Sequence, residues 1–491
     1  MTSWLWHAIR GTGLAVFAEL LARMSNTIFF ILLTWRANQI EASTFSVSFV
    51  YTGLLTAFCL GGLEQLLNRE TARDIAESPV TLGNFVLARG TASLLIFVGL
   101  CVWLVAFSAY DRYTLLVIVV IGSTLIPESV TNLFQSFFVA TNRIHYIVVI
   151  NALAGISRVL LGGIIIWLGG NSAAVALVVA VTSWLSALIY FGLVVKRFFW
   201  PTISFSSRLW LHYVRAETPL FLMALMASLE SNFDSLLLSG GGTNDIVLVG
   251  AYNAAGALLN ALLIIPNSLR HILLSMLSMA YHRERDKAFI VYIQSMRLLL
   301  YGALLLCLSI TFYAPHIISI LYRQSFAIAA PVLQVMIWSF LWIMLLVPNG
   351  RLMLAAGIQH RAVLPQLAGM LLNVSLNLIL QSTYTVIGAA LAKVSSAALV
   401  FVWCFWIVRQ ELYRVSIWSI LWPALGASAV TLSVFLGGQW WQIPWLVMVA
   451  LTTLTYLVAL YGFGGIRVSE LQAFRRWLRM RNRHSIVGGK L

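Results

Sequence analysis

Charge is what this sequence has least of. Asp, Glu, Lys and Arg make up 10% of its 491 residues, where a soluble domain has about 25%. So little polar surface could not cover a water-soluble globule of this size. With 60% hydrophobic residues and a mean hydropathy of +0.91, the chain reads as a polytopic membrane protein. Negative charge is the scarcer half: 16 acids stand against 31 Lys and Arg, for a net charge of +15. The basic residues are spread over short connections, which excludes nucleic acid as a partner and makes the charge a topology signal.

Cysteine is also scarce. Cys59, Cys101, Cys307 and Cys404 all lie in apolar runs without metal-ligand spacing, so they read as small core hydrophobes, neither a disulfide framework nor a metal site. Catalytic signatures are missing: there is no DxD, HExxH, CxxC, P-loop or GxSxG. The longest outer connection, about 313–330, has one basic residue and no acid. A membrane polysaccharide polymerase or glycosyltransferase needs a catalytic loop, so the chain reads as a conduit, not an enzyme, and no cofactor is expected.

What the chain has in abundance is long apolar runs. A bilayer core needs about 20 apolar residues per helix, and fourteen runs of that kind lie near 12–35, 44–67, 82–107, 114–138, 146–168, 173–195, 216–238, 248–276, 289–312, 331–353, 362–381, 386–408, 417–437 and 443–463. They are too continuous for barrel strands. The first contains Glu19 and Arg23 and ends in no short cleavage motif, so it reads as an uncleaved span rather than a signal peptide. With both termini inside, 21 Lys and Arg fall on inner segments and three (Arg36, Arg112 and Arg323) on outer ones, which sets both termini in the cytoplasm. The basic tail "RRWLRMRNRH" is expected to lie on the anionic inner leaflet.

The longest break, "KRFFWPTISFSSRLWLHYVRAETP", follows the sixth span. The expected organisation is therefore an N-lobe at 1–197 with six helices, a cytoplasmic interfacial linker at 198–214, a C-lobe at 215–410 with six more, helices thirteen and fourteen at 411–464 and a basic tail at 465–491. A weak repeat supports related halves: "ATNRIHYIVVINALAGISRVLLGGI" from Ala140 aligns without a gap on "AAGIQHRAVLPQLAGMLLNVSLNLI" from Ala355. Repeats that keep orientation are related by an axis along the membrane normal, as in many transporters.

Charges inside spans are the candidate functional residues, since each costs roughly 2.5–3.5 kcal/mol on insertion scales. Arg89, Arg297, Arg351 and Glu217 lie near cytoplasmic span ends and are expected to snorkel, as is Lys393 toward the outside. Glu64 is expected to pair with Arg69. Deeper residues remain. Glu19 and Arg23 are four apart on the first span; Arg158 sits mid-span with no acid within a turn; Arg270 follows Pro266. "MASLESNFDSLLLSG" puts Glu230 and Asp234 one helical turn apart, either neutralising arginines of the facing half or switching protonation state. Glu128, after Pro127, is a similar carboxylate.

"TPLFLMALMASLESNFDSLLLS" followed by "LVGAYNAAGALLNALLIIPNSL" resembles the seventh and eighth helices of the polysaccharide-transporter branch of the MOP superfamily. So do "FFVATNRIHYIVVINALAGISRVLL", "LYRQSFAIAAPVLQVMIWSFLW" and "LLNVSLNLIL…VIGAALAKVSSAALV". The branch includes Wzx-type flippases. The resemblance implies an all-α fold of about 14 transmembrane helices, two six-helix lobes around a central cavity plus two C-terminal helices. It also implies alternating-access transfer of an undecaprenyl-diphosphate-linked oligosaccharide to the outer leaflet of a bacterial inner membrane, for O-antigen, capsule or exopolysaccharide. A polysaccharide polymerase and a chain-length regulator are the implied protein partners, with a proton or sodium counter-ion. On that reading Arg23, Arg158 and Arg270 contact the diphosphate, because a guanidinium fork binds two oxygens at once. Glu128, Glu230 and Asp234 couple the ion, and Tyr252, Trp338 and Trp342 stack on sugar rings. The Arg-Asp signature of MurJ-type lipid II flippases is missing from "LLARMSNTIFFILLTW". A MATE-like ion-coupled exporter of small molecules is the alternative.

Overall fold

Apolar runs as long as these leave the backbone no water to bond, so helix is the only local structure that satisfies them. The computed structural model describes residues 27–465 except 37, 60–61, 205–206, 240–242, 323 and 415–417, and among these residues it is helical with no strand. The helices are α1 (Thr27–Arg36), α2 (Gln39–Phe58), α3 (Leu63–Arg73), α4 (Ser78–Phe107), α5 (Arg112–Gly122), α6 (Leu125–Ala140), α7 (Ile144–Trp167), α8 (Ser172–Arg197), α9 (Ser207–Leu238), α10 (Thr243–Leu262), α11 (Ile264–Arg283), α12 (Arg285–Tyr322), α13 (Ala329–Met336), α14 (Trp338–Ala355), α15 (Val363–Glu411), α16 (Trp418–Trp440) and α17 (Trp445–Gly462).

Among the described residues, ten helical segments are long and apolar enough to cross a membrane, or up to eleven if α2 and α3, bent by 47°, form one span. The chain is an all-α polytopic membrane protein. The count is below the fourteen apolar runs for visible reasons. Most of the first run precedes residue 27, α9, which covers the run at 216–238, is not among these segments, and the runs at 362–381 and 386–408 share the one helix α15. That helix is interrupted at Thr385, whose φ of 47° is not helical. A Cβ on Gly388 would come 2.3 Å from the Leu380 carbonyl oxygen, so the chain folds back on itself at this break. A β-branched residue at positive φ is strained.

Several hydroxyls within the spans are satisfied by their own helix. Ser48, Thr52 and Thr56 of α2 each donate to the carbonyl four residues back, at 2.9, 2.8 and 2.7 Å, which removes the penalty of a bare hydroxyl in lipid. Caps mark the helix starts. Asp111 accepts from the Tyr113 and Thr114 amides at the head of α5, and Asn171 from the Ala174 amide at the head of α8. The sequence repeat has a structural counterpart. Asn142 and Gly357, which the ungapped alignment superposes, both have positive φ, 56° and 76°. Both helix ends close with the same pattern: Arg143 N donates to Phe138 O at 2.7 Å and Ile358 N to Met353 O at 2.9 Å, a left-handed helix cap.

By contacts the chain divides into two units. Among the described residues, the first holds those up to 261, 318–332 and 370–393, and the second holds 262–317, 333–369 and those from 394 on. In the first, Leu66, Leu67, Phe85, Phe134, Phe137, Phe138 and Tyr190 form an apolar core. The segment after α8 packs onto it. Phe198 and Phe199 both meet the Phe137 ring edge-on at 5.3 Å, Thr202 N donates to Pro79 O at 3.0 Å, and Ser204 N donates to Asn84 Oδ1 at 2.9 Å. This extended piece ends soon after, since Ser207 already begins α9. It also explains Gly83: a Cβ there would sit 2.1 Å from the Thr202 carbonyl oxygen. Gly83→Ala is expected to displace the segment and lower stability by about 1–3 kcal/mol, seen as a lower unfolding midpoint in detergent. In the second unit α11 packs on α14 and α16 on α17. Phe312 stacks on Phe435 at 4.1 Å, and Tyr456 Oη donates to Tyr301 O at 3.0 Å.

Candidate functional site

Among the described residues, the most completely bonded intramembrane charge is Asp234, on α9 and fully buried. Its Oδ2 accepts from Tyr252 Oη of α10 at 2.6 Å and pairs with Lys393 Nζ of α15 at 2.9 Å. Its Oδ1 accepts from Asn377 Nδ2 at 2.8 Å. Gln381 Nε2 donates to the Asp234 backbone carbonyl at 3.1 Å and to Asn377 Oδ1 at 2.5 Å. Asn377 is also tied to Asn373, whose own Nδ2 is buried without a partner among the described residues. The fold-back at Thr385 makes this possible. Asn373, Asn377 and Gln381 come from the limb before the break and Lys393 from the limb after it, so α15 grips one carboxylate with both limbs.

This arrangement corrects two expectations. The partner of Asp234 is a lysine, not an arginine of a facing half, and Lys393 does not snorkel; its ammonium turns onto the carboxylate because a bare buried carboxylate is far costlier than a paired one. Tyr252 is likewise committed to Asp234. Glu230 is half-buried one turn earlier on α9. The charges of Lys393 and Asp234 act on it, so two carboxylates share one ammonium. Ser235 and Asn253 tie the same stretch of α9 and α10 to Ser46 of α2, through bonds of 2.9 and 2.8 Å.

A second polar set joins α6, α7 and α8. Arg158 donates through Nε to Thr182 Oγ1 at 2.8 Å and through Nη2 to Ser183 Oγ at 2.7 Å. Ser183 Oγ then donates to Glu128 Oε1 at 3.3 Å. Arg158 has no acid within a turn of its own helix, but α6 supplies one through a serine bridge. Sequence spacing along one helix could not show that. The structure thus brings together Arg158 and Glu128, which the sequence reading put in separate roles.

A third set corrects the snorkelling assignments. Arg89 is 1% exposed and its Nη2 pairs with Glu64 Oε1 at 2.6 Å, whereas Arg69 pairs with its neighbour Glu70 at 2.8 Å. Glu217 is buried beside them, and the charge of Arg89 acts on it. Arg89 Nε and Nη1 and Glu217 Oε1 are buried without a bonding partner among the described residues.

The second unit is different in kind. Its described acids stand at helix ends: Glu284 pairs with Lys287, Glu411 with Arg361, and Asp286 is in the first turn of α12. Deeper in its helices lie Arg270 on α11, Arg297 on α12 and Arg351 on α14. Arg270 and Arg351 are close enough for their charges to act on each other, and Arg351 Nε is buried without a partner among the described residues. Two neighbouring guanidiniums without an acid among the described residues leave a local excess of positive charge. Of the sequence candidates, Arg23, with Glu19, lies outside the described residues. Trp342 packs on Phe401 at 5.6 Å. Among the described residues no group of three or more His, Cys, Asp or Glu is placed to hold a metal ion.

A family model described as "Polysaccharide biosynthesis protein" matches residues 8–271. A sequence search of curated proteins finds no match. Among solved structures, the fold is similar to the lipid II flippase MurJ in an inward closed conformation. That match has a TM-score of 0.73 and 13% identity, and covers 91% of this chain and 97% of the flippase. It is also similar to an inward-facing multidrug resistance MATE family transporter of the MOP superfamily, with a TM-score of 0.62 and 14% identity over 79% of this chain and 95% of the transporter. A MOP superfamily transporter from Pyrococcus furiosus aligns with a TM-score of 0.55 and 14% identity, over 81% of this chain and 95% of its own.

Proposed function

Since the chain belongs to the polysaccharide biosynthesis protein family and its fold is similar to that of a lipid flippase and of a MOP superfamily transporter, we propose that it is a MOP-type flippase for an undecaprenyl-diphosphate-linked oligosaccharide. It carries the glycan from the inner to the outer leaflet of a bacterial inner membrane by alternating access, and the product enters an O-antigen, capsule or exopolysaccharide. One observation carries the choice of a lipid-linked cargo. The match to the lipid flippase covers 91% of the chain, against 79% for the drug transporter. A MATE-like exporter of small molecules is the second reading, supported by the similarity of fold to the MATE family transporter, of which the match covers 95%.

The six-plus-six lobes with two added helices, the central cavity, the cytoplasmic termini and the polymerase and chain-length partners belong to this proposal. So do the roles of the buried charges. Arg270, now joined by Arg351, meets the substrate diphosphate, since neither is paired with an acid among the described residues. Arg23 is proposed for the same role from its sequence position. Arg158 is already bonded to Thr182 and Ser183, so its contact with substrate uses its remaining donors. Glu230 is the carboxylate available to bind a proton or sodium ion, because it shares the Lys393 charge without being locked by Tyr252 and Asn377 as Asp234 is. Glu128 is the matching carboxylate beside Arg158.

Deleting the gene is expected to remove one surface polysaccharide and to trap its lipid-linked oligosaccharide on the inner leaflet, with complementation restoring both. Persistence of the glycan with increased sensitivity to cationic dyes selects the exporter instead. For orientation, reporters fused after Arg143, Arg285 and Arg414 are expected to read cytoplasm, and those near Asn171, Asn244 and Gly438 the opposite side. A periplasmic signal at Arg285 contradicts the lobe scheme.

A further inference from the structure

Arg297 has no role in the transport reading. It lies on α12, roughly 18 Å along the axis from Arg285 at about 1.5 Å per residue. Its Nε is buried and meets no hydrogen-bond partner among the described residues. A cavity of about 450 Å³ opens beside it, lined by Arg297, Tyr301, Trp418, Trp422, Pro423 and Phe463, all within the second unit. Trp418 begins α16 and Phe463 directly follows α17. These are the start and end of two consecutive spans, so both lie at the same membrane surface. The orientation proposed above makes that surface the cytoplasmic one.

The chemistry of the cavity is mixed in a particular way. Trp418 and Trp422 lie 6.0 Å apart between ring centroids and are 62% and 55% exposed, as indoles at the head-group level are. Phe463, which also lines the cavity, is 40% exposed. The hydroxyl of Tyr301 is turned to the Ile420 carbonyl at 3.4 Å. A buried guanidinium nitrogen without an acceptor is unfavourable, and the described acids of this unit are placed at other helix ends. An acceptor that brings negative charge and an apolar body satisfies both the arginine and the aromatic walls.

We infer that this cavity binds an anionic phospholipid of the surrounding leaflet, with Arg297 on the phosphate and Trp418, Trp422 and Phe463 against the glycerol and upper acyl chains. A soluble anion would meet the arginine but leave the aromatic walls bare, and a zwitterionic lipid brings an ammonium that competes for the same phosphate. The site uses neither Arg270 nor Arg351, so it stands if the transported substrate is reassigned.

The test uses the purified full-length protein in phosphatidylcholine nanodiscs titrated with phosphatidylglycerol, read by retained lipid in native mass spectrometry and by the unfolding midpoint. Wild type is expected to retain phosphatidylglycerol and to unfold at a higher temperature with it. Arg297→Gln should bind it about tenfold more weakly, the loss of one charge-assisted hydrogen-bonded contact, and Arg297→Lys should recover part of the binding. Trp422→Ala changes a mostly exposed side chain, so it carries the test if Arg297→Gln does not accumulate; it too should weaken retention. Wild-type retention by Arg297→Gln, or by Trp422→Ala where that variant stands in, overturns the inference. Equal protection by inorganic phosphate alone assigns a free-anion site and overturns the lipid. Displacement of phosphatidylglycerol by an undecaprenyl diphosphate makes the cavity part of the transport path and also overturns it.

Discussion

Lys393→Met is expected to lower stability by about 3–5 kcal/mol, the cost of leaving one member of a buried ion pair without its partner. Asp234 is fully buried and receives Lys393 at 2.9 Å; methionine keeps an unbranched side chain, one atom shorter, and removes its charge. Asp234→Asn is expected to cost less, because the charge of Glu230 also acts on this ammonium. The double variant Asp234→Asn, Lys393→Met removes both charges and should be more stable than Lys393→Met alone, with a coupling of roughly 1–3 kcal/mol. Unfolding midpoints in detergent measure all three. If Lys393→Met unfolds like wild type, the ammonium does not support the carboxylate. Glu230→Gln separates coupling from folding: the protein should accumulate normally and lose ion-dependent transport. Normal transport by both Glu230→Gln and Asp234→Asn removes the coupling proposal.

The second large effect is a contrast between two arginines. Arg270→Ala is expected to abolish glycan export at an unchanged protein level, and Arg270→Lys to restore only part of it, since an ammonium keeps the charge but lacks the two-oxygen fork. Arg351→Ala should behave in the same way, because the two charges act on each other and no acid among the described residues pairs with either. Arg158→Ala should instead reduce the amount of protein in the membrane, for it strips the bonds to Thr182 and Ser183 and leaves Glu128 without its counter-charge. Combining it with Glu128→Gln should recover protein level but not export, because the substrate contact proposed for Arg158 is still missing. Quantifying surface glycan beside membrane-inserted protein separates the outcomes; full export by Arg270→Ala contradicts its contact with the diphosphate.

Helix type and position were legible in the sequence because apolar run length is set by the bilayer and reads directly along the chain. The repeat was also legible, and its aligned Asn142 and Gly357 share a left-handed cap. The partners of buried charges were not. Glu128 reaches Arg158 through a serine on a third helix, and Lys393 reaches Asp234 across 159 residues, so distance along one helix carried no information about either pair. Arg89 looked close enough to a span end to snorkel, yet Glu64 lies across on α3 and bonds it inside. One signal of that site does lie in the sequence. Asn373, Asn377 and Gln381 recur every four residues in an apolar run, which places three amides on one helix face, and that face is the one that meets Asp234.

On the proposed function, the chain moves a lipid-linked glycan across the bilayer. The direct measurement is transbilayer transfer by the purified protein in liposomes containing an undecaprenyl-diphosphate oligosaccharide, read by lectin access to the glycan on the outer surface. Lectin-accessible glycan should fall or rise toward a new distribution at a rate proportional to protein in the vesicles, and Arg270→Ala vesicles should match protein-free ones. Transfer indistinguishable from protein-free vesicles, together with protein-dependent movement of a small cationic dye in the same preparation, would contradict the account.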